Sequence, residues 1–192
     1  MSTHVKRMII ALLAALTLTL GAAAVTASAA PAGASSYPAG IPAGALPSVA
    51  GQKLALTPDT GFTQWCVAAG YCLNAYAGGY VNAYTKNVDN NSFAIVGNGG
   101  YYWNITDTNP GNAYDGDDVS DYGNSSGDAR AGLSAPGAWG YNFYIYSCQN
   151  GPGYTLFNVH WDTFASFSSL SDGSPLYLNT NVPQYCFSES GF

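Results

Sequence analysis

Apolar and polar residues alternate along short stretches of this chain with the two-residue period of half-buried strands. In Val81-Asn82-Ala83-Tyr84-Thr85 one set of side chains points inward and the other outward. Aromatic and β-branched residues gather in strand-length runs at 62–67, 81–85, 93–96, 101–105, 143–146, 154–159 and 176–178, each bounded by Gly, Asn, Asp or Pro. Over 161–170 the spacing changes: Trp161, Phe164, Phe167 and Leu170 fall three apart and predict a short helix or 3₁₀ turn. The class is all-β.

Short strands with frequent turns leave a β-trefoil, a β-sandwich or another barrel. A weak internal period favours the trefoil. Val81 precedes Phe93 by twelve residues, Ala131 precedes Phe143 by twelve, and Leu176 precedes Phe187 by eleven. Each unit runs from a short apolar strand through a polar turn to an aromatic strand start, and three such units in a single domain, 54–192, imply threefold pseudo-symmetry.

Composition narrows the function classes. The chain has 192 residues, of which 47% are hydrophobic and 8% charged, with Lys+Arg 5 against Asp+Glu 11. Beyond residue 50 only Lys53, Lys86 and Arg130 are basic, so a nucleic-acid partner and an anionic membrane surface are both disfavoured. The other two cations, Lys6 and Arg7, precede an uncharged run from Met8 to Val25 and then Ala27-Ser28-Ala29. That is the layout of a secretory signal over 1–29, cut after Ala29. A retained membrane anchor is the alternative, but Thr17, Thr19 and Gly21 interrupt the run. Residues 30–53 are rich in Ala, Gly, Pro and Ser and read as a flexible leader or linker. The protein is expected to be secreted and, once the signal is removed, to have no membrane contact. Export places Cys66, Cys72, Cys148 and Cys186 in an oxidising compartment, where two disulfides are the default. Four cysteines allow three pairings, and spacing chooses none of them.

One segment carries a family pattern. It opens Tyr71-Cys72-Leu73-Asn74-Ala75 and closes Asn90-Asn91-Ser92-Phe93-Ala94-Ile95-Val96. Over 72–96 it resembles one repeat of the ricin-type β-trefoil lectins, which open on Cys-Leu-Asp and close on Asn-Gln-x-Trp. Asn74 stands where that family has Asp, Asn91 where it has Gln, and Phe93 where it has Trp. Fainter echoes fall at 139–143 and 184–187. The resemblance implies a trefoil and a sugar site in the first repeat, with Asn74 in the place of the sugar-binding Asp and Asn90 and Asn91 at the closing pair.

The residues make a parallel physical case. Sugars need planar amides for paired hydroxyls and an aromatic face for the apolar side of the ring. Asn74, Asn87, Asn90 and Asn91 with Tyr80 or Tyr84 supply both. Trp65, Trp103, Trp139 and Trp161 read as core and cross-strand partners. Asp115, Asp117, Asp118 and Asp121 read as a solvated acidic loop, with a calcium site as the alternative, and no cofactor is assigned. His160 has Asp162 nearby but no Gly-x-Ser-x-Gly elbow, so no catalytic residue is assigned. The functional expectation is a secreted carbohydrate-binding, lectin-like domain without catalytic activity, its partner a glycan or polysaccharide. A secreted protein-binding or protease-inhibitor domain, contacting its partner through 125–136, is the alternative, and a hydrolase stands behind both.

Overall fold

The computed structural model describes residues 42–54, 63–86, 90–121, 130–137, 140–149, 151–180 and 185–191. Among these there are twelve strands and no helix. Four fall in each third of the domain. The first third holds β1 (Thr63–Val67), β2 (Tyr71–Tyr76), β3 (Tyr80–Thr85) and β4 (Phe93–Gly99). The second holds β5 (Tyr102–Asp107), β6 (Asp118–Asp121), β7 (Ala131–Ser134) and β8 (Phe143–Ser147). The third holds β9 (Tyr154–Asn158), β10 (Thr163–Phe167), β11 (Leu176–Thr180) and β12 (Phe187–Gly191).

The first and fourth strand of each third build a six-stranded barrel. β1 pairs with β12, β12 with β9, β9 with β8, β8 with β5 and β5 with β4, all antiparallel. β4 then lies along β1, where the Thr63 hydroxyl donates to the Phe93 carbonyl at 2.7 Å, and the ring closes. The middle strands form hairpins β2–β3, β6–β7 and β10–β11. This is a β-trefoil, and the sandwich alternative is excluded by the closed ring.

The register around the axis shows the threefold relation residue by residue. Tyr80 stands opposite Gly132, Arg130 opposite Tyr177 and Asn82 opposite Pro175. Each pair joins the same two positions of neighbouring hairpins, so Tyr80, Arg130 and Pro175 are equivalent, as are Asn82, Gly132 and Tyr177. Between them lie Val81, Ala131 and Leu176, all fully buried, which are the residues the sequence period aligns. Phe93, Phe143 and Phe187 are also fully buried and belong to the same core cluster as Trp65, Trp103, Ile105, Ile145 and Leu156. Each such ring removes enough apolar area from water to contribute about 2 to 3 kcal/mol.

Three features depart from the pattern-based expectation. The 161–170 segment forms strand β10 and not a helix or 3₁₀ turn. Residues three apart in a strand point to opposite faces, and the two rings have different destinations: Phe164 packs outward on Phe157 (5.1 Å between centroids), Phe167 inward on Phe187 (5.6 Å). The acidic stretch contributes Asp118 and Asp121 to strand β6, where both are buried. Residues 42–53, within the stretch whose composition reads as leader, are fastened to the barrel together with Leu54 by backbone hydrogen bonds. Leu46 N–H donates to Ile145 O, Ser48 N–H to Gly100 O, Gly51 N–H to Gly97 O and Leu54 N–H to Ile95 O, at 2.8 to 2.9 Å. The indole N–H of Trp103 donates to Leu46 O at 3.1 Å.

The open question of cysteine pairing resolves as Cys66–Cys72, which joins β1 to β2, and Cys148–Cys186, which joins the end of β8 to the start of β12. Both disulfides suit an extracellular setting.

Candidate functional site

The β2–β3 hairpin presents one face to the core and one outward. Leu73, Ala75, Val81 and Ala83 alternate inward and are buried. Directly opposite partners in an antiparallel pair share a face, so Cys72 with Tyr84, Asn74 with Asn82, and Tyr76 with Tyr80 form three cross-strand rows on the outer side. The middle row is a pair of amides, 4% and 2% exposed, forming a floor. Tyr76 stands at the rim at 48% exposure, while Tyr80 and Tyr84 are half-buried. Gly78 and Gly79 take positive φ of 86° and 77° and make the tight turn between the strands.

Arg130 reaches this face from β7's leading edge. Its guanidinium carbon lies 3.8 Å from the centroid of the Tyr80 ring, and an N–H donates to Asn82 Oδ1 at 3.0 Å. The cation thus fixes both a ring and an amide of the face.

Of the residues singled out in the sequence, Asn74, Tyr80 and Tyr84 therefore lie on one face. Asn90 and Asn91 lie along the other edge of β2. The Asn91 amide, fully buried, donates to Leu73 O at 2.9 Å. Asn90 adopts φ 73°, accepts the Ala75 N–H on its backbone carbonyl at 2.9 Å, and accepts the Asn109 amide on its side chain at 2.7 Å. The closing pair thus holds β2 in place. Asn87, Trp139, residues 1–41 and residues 125–129 lie outside the described residues. Asn82, Tyr76 and Arg130 complete the face without having been singled out. The alternation of Val81-Asn82-Ala83-Tyr84 already places Asn82 beside the two tyrosines, whereas nothing local announces Arg130.

The other two hairpins differ at the key position. The registers align Asn74 with Ser120, which faces Gly132, and with Ser166, which faces Tyr177. Ser120 bonds Ser134 at 2.9 Å and Ser166 reaches Phe167 O at 3.3 Å. An opposed pair of amides occurs in the first hairpin and not at the equivalent place in the other two.

The buried aspartates each have their own partners. Asp118 accepts the Asn104 amide and the Thr106 hydroxyl, both at 2.7 Å. Asp121 lies 3.7 Å from His160 Nε2. Asp107, fully buried, organises the β5–β6 loop by accepting the Asn109 N–H and the Asn112 amide, each at 3.0 Å. Burial pushes the carboxyls of Asp118 and Asp121 above the usual range and that of Asp107 up to about 7. Among the described residues no group of three or more His, Cys, Asp or Glu is placed to hold a metal ion. His160 and Asp162 lie in the turn after β9; the His160 ring meets Trp161 edge-on at 5.2 Å, and its carboxylate neighbour is Asp121, not Asp162. Trp65 and Trp103 belong to the core. No helix among the described residues is long and apolar enough to cross a membrane.

A barrel capped by three hairpins about a pseudo-threefold axis defines the β-trefoil class. Among solved structures the chain is similar to the crystal structure of ThreeFoil, a designed 3-fold symmetric protein, with a TM-score of 0.55 and 17% identity over 68% of this chain and 99% of that one. That likeness concerns the fold alone. No protein-family model matches the chain, and no curated protein matches it in sequence.

Proposed function

We propose that this chain is a secreted carbohydrate-binding domain without catalytic activity, and that it holds a sugar on the outer face of the β2–β3 hairpin. The observation that carries the reading is the Asn74–Asn82 pair, two amides side by side on a floor edged by Tyr76, Tyr80 and Tyr84. Amides offer a donor and an acceptor to neighbouring hydroxyls, and a tyrosine ring offers an apolar face to the underside of a pyranose. The trefoil fold is compatible with such a role, though fold alone assigns none. The ricin-type pattern over 72–96 points to the same hairpin, with Asn74 on the face itself and Asn90 and Asn91 bracing β2 from its other edge; Asn87, also expected at the site, lies outside the described residues. Secretion is supported by the charge-then-apolar layout of residues 1–29 and by two disulfides.

A glycan array probed with and without calcium tests the class. The reading expects glycan signal that does not require calcium. Asn74→Ala leaves a sugar hydroxyl unpaired, which costs roughly 1 to 3 kcal/mol or about fivefold or more in affinity. Ser120→Ala and Ser166→Ala leave affinity unchanged. If folded Asn74→Ala binds as tightly as the parent, the assigned face is wrong; binding to soluble proteases with no glycan signal would favour an inhibitor instead.

A further inference from the structure

A concavity lies on the barrel wall where the second and third repeats meet. It is a cleft of about 670 Å³ between the end of β8, β9, β10 and the start of β12, a size that suits a small-molecule site. Tyr146, Phe164 and Tyr185 contribute rings, Gln149 an amide, and Ser147 and Thr155 hydroxyls. None of the ten residues along it is charged. Its walls are fixed in advance. Tyr146 packs on Phe164 at 6.2 Å and edge-on against Phe157 at 5.9 Å, while Phe157 meets Phe164 at 5.1 Å. The Cys148–Cys186 disulfide closes one side, and the Ala45 bridge to Tyr146 brings the 42–54 arm to another.

A lining with no positive side chain, and with the Asp162 carboxylate acting on Tyr146, disfavours anionic ligands, because a negative charge entering it loses hydration without gaining a counter-charge. A purely apolar ligand is disfavoured as well, since it would strip water from the amide and hydroxyls without replacing their hydrogen bonds. A ligand with an apolar face and a rim of hydroxyls meets both demands. We infer that this cleft is a second saccharide subsite, which takes a short uncharged glycan and makes the domain bivalent. The ligand class rests on the carbohydrate-binding reading above, but the cleft is a separate place: it contains neither the β2–β3 face nor Ser166, the third-repeat counterpart of Asn74. Two subsites on one rigid domain would let a polymer engage both, raising retention beyond either site alone.

The test is an NMR titration of the full chain, isotope-labelled, with xylohexaose, cellohexaose and N-acetylchitohexaose as probes. The inference expects saturable shifts at Gln149, Thr155 and Tyr185 as well as at the β2–β3 hairpin. Gln149 is exposed, so Gln149→Ala leaves the fold intact; it should weaken the cleft shifts about fivefold or more and leave the hairpin shifts unchanged. Asn74→Ala should do the reverse. Hairpin shifts without cleft shifts would overturn the second subsite and leave the first standing. Cleft shifts without hairpin shifts would overturn the first. A Gln149→Ala variant whose cleft shifts saturate like the parent's also overturns the inference, as would the absence of any shift with all three probes.

Discussion

Replacing Asp107 by Asn isolates a pH dependence that the β5–β6 loop builds into the domain. Burial, opposed by the hydrogen bond from Asn109 N–H and assisted by the nearby charges of Asp115 and Asp117, raises the Asp107 pKa from 3.8 to about 7. The folded state therefore holds this proton more tightly than the unfolded chain does. The resulting stability is fully present below the unfolded pKa near 4 and is lost as pH rises through the folded value near 7. A separation of roughly three pH units, at about 1.4 kcal/mol per unit, corresponds to about 4 kcal/mol lost over that interval. Asp118 and Asp121, also raised by burial, act in the same direction. Urea unfolding at constant ionic strength between about pH 4 and pH 8 reads the slope. Wild type should lose several kcal/mol on going up in pH. Asp107→Asn keeps an acceptor oxygen for Asn109, loses the bond from the Asn112 amide and carries no charge, so its curve should be offset by that lost bond but flatter than that of wild type. Parallel curves for the two proteins would refute the assignment, as would wild-type stability that rises through this interval.

Other perturbations probe the core, the arm and the staples. Phe93→Ala, Phe143→Ala and Phe187→Ala should each cost about 3 to 5 kcal/mol in chemical denaturation, because the three rings occupy equivalent, fully buried positions. Gly97→Ala would drive a methyl into the carbonyl oxygen of Val49, so hydrogen exchange at Leu46, Ser48, Gly51 and Leu54 should accelerate while β9 stays protected. Replacing Cys148 and Cys186 together by Ser opens a loop of 38 residues and should cost about 4 kcal/mol on the chain-entropy estimate, against about 2 kcal/mol for the 6-residue loop of Cys66–Cys72. Equal losses for the two pairs would contradict that ordering.

Strands with one apolar and one polar face are legible in this sequence because burial imposes a period of two on their residues. That holds for β3, whose Val81 and Ala83 face inward, and it extends to the repeat, since Phe93, Phe143 and Phe187 belong to the same core cluster. β6 is not legible in the same way. Asp118, Ser120 and Asp121 are polar, and their burial depends on Asn104 and Thr106, Ser134 and His160, partners that only the fold supplies. The segment 42–53 escapes a compositional reading for a different reason: backbone hydrogen bonds hold much of it, and Ala, Gly, Pro and Ser make such bonds without an apolar signature. On the hairpin face, Asn74, Tyr80 and Tyr84 are readable from motif and alternation. Arg130 comes from the neighbouring hairpin and could not be placed there before the threefold register was known. The cleft between the second and third repeats depends on a disulfide partner that cysteine spacing leaves undecided, so no local pattern joins Gln149 to Tyr185.

The most direct measurement is a crystal structure of the trefoil domain grown with the glycan that gives the strongest array signal. The account predicts a sugar ring on the outer face of β2–β3, stacked on a tyrosine of the Tyr76, Tyr80 and Tyr84 set, with a hydroxyl within hydrogen-bond distance of the Asn74 amide. A bound glycan that leaves this face bare would contradict it.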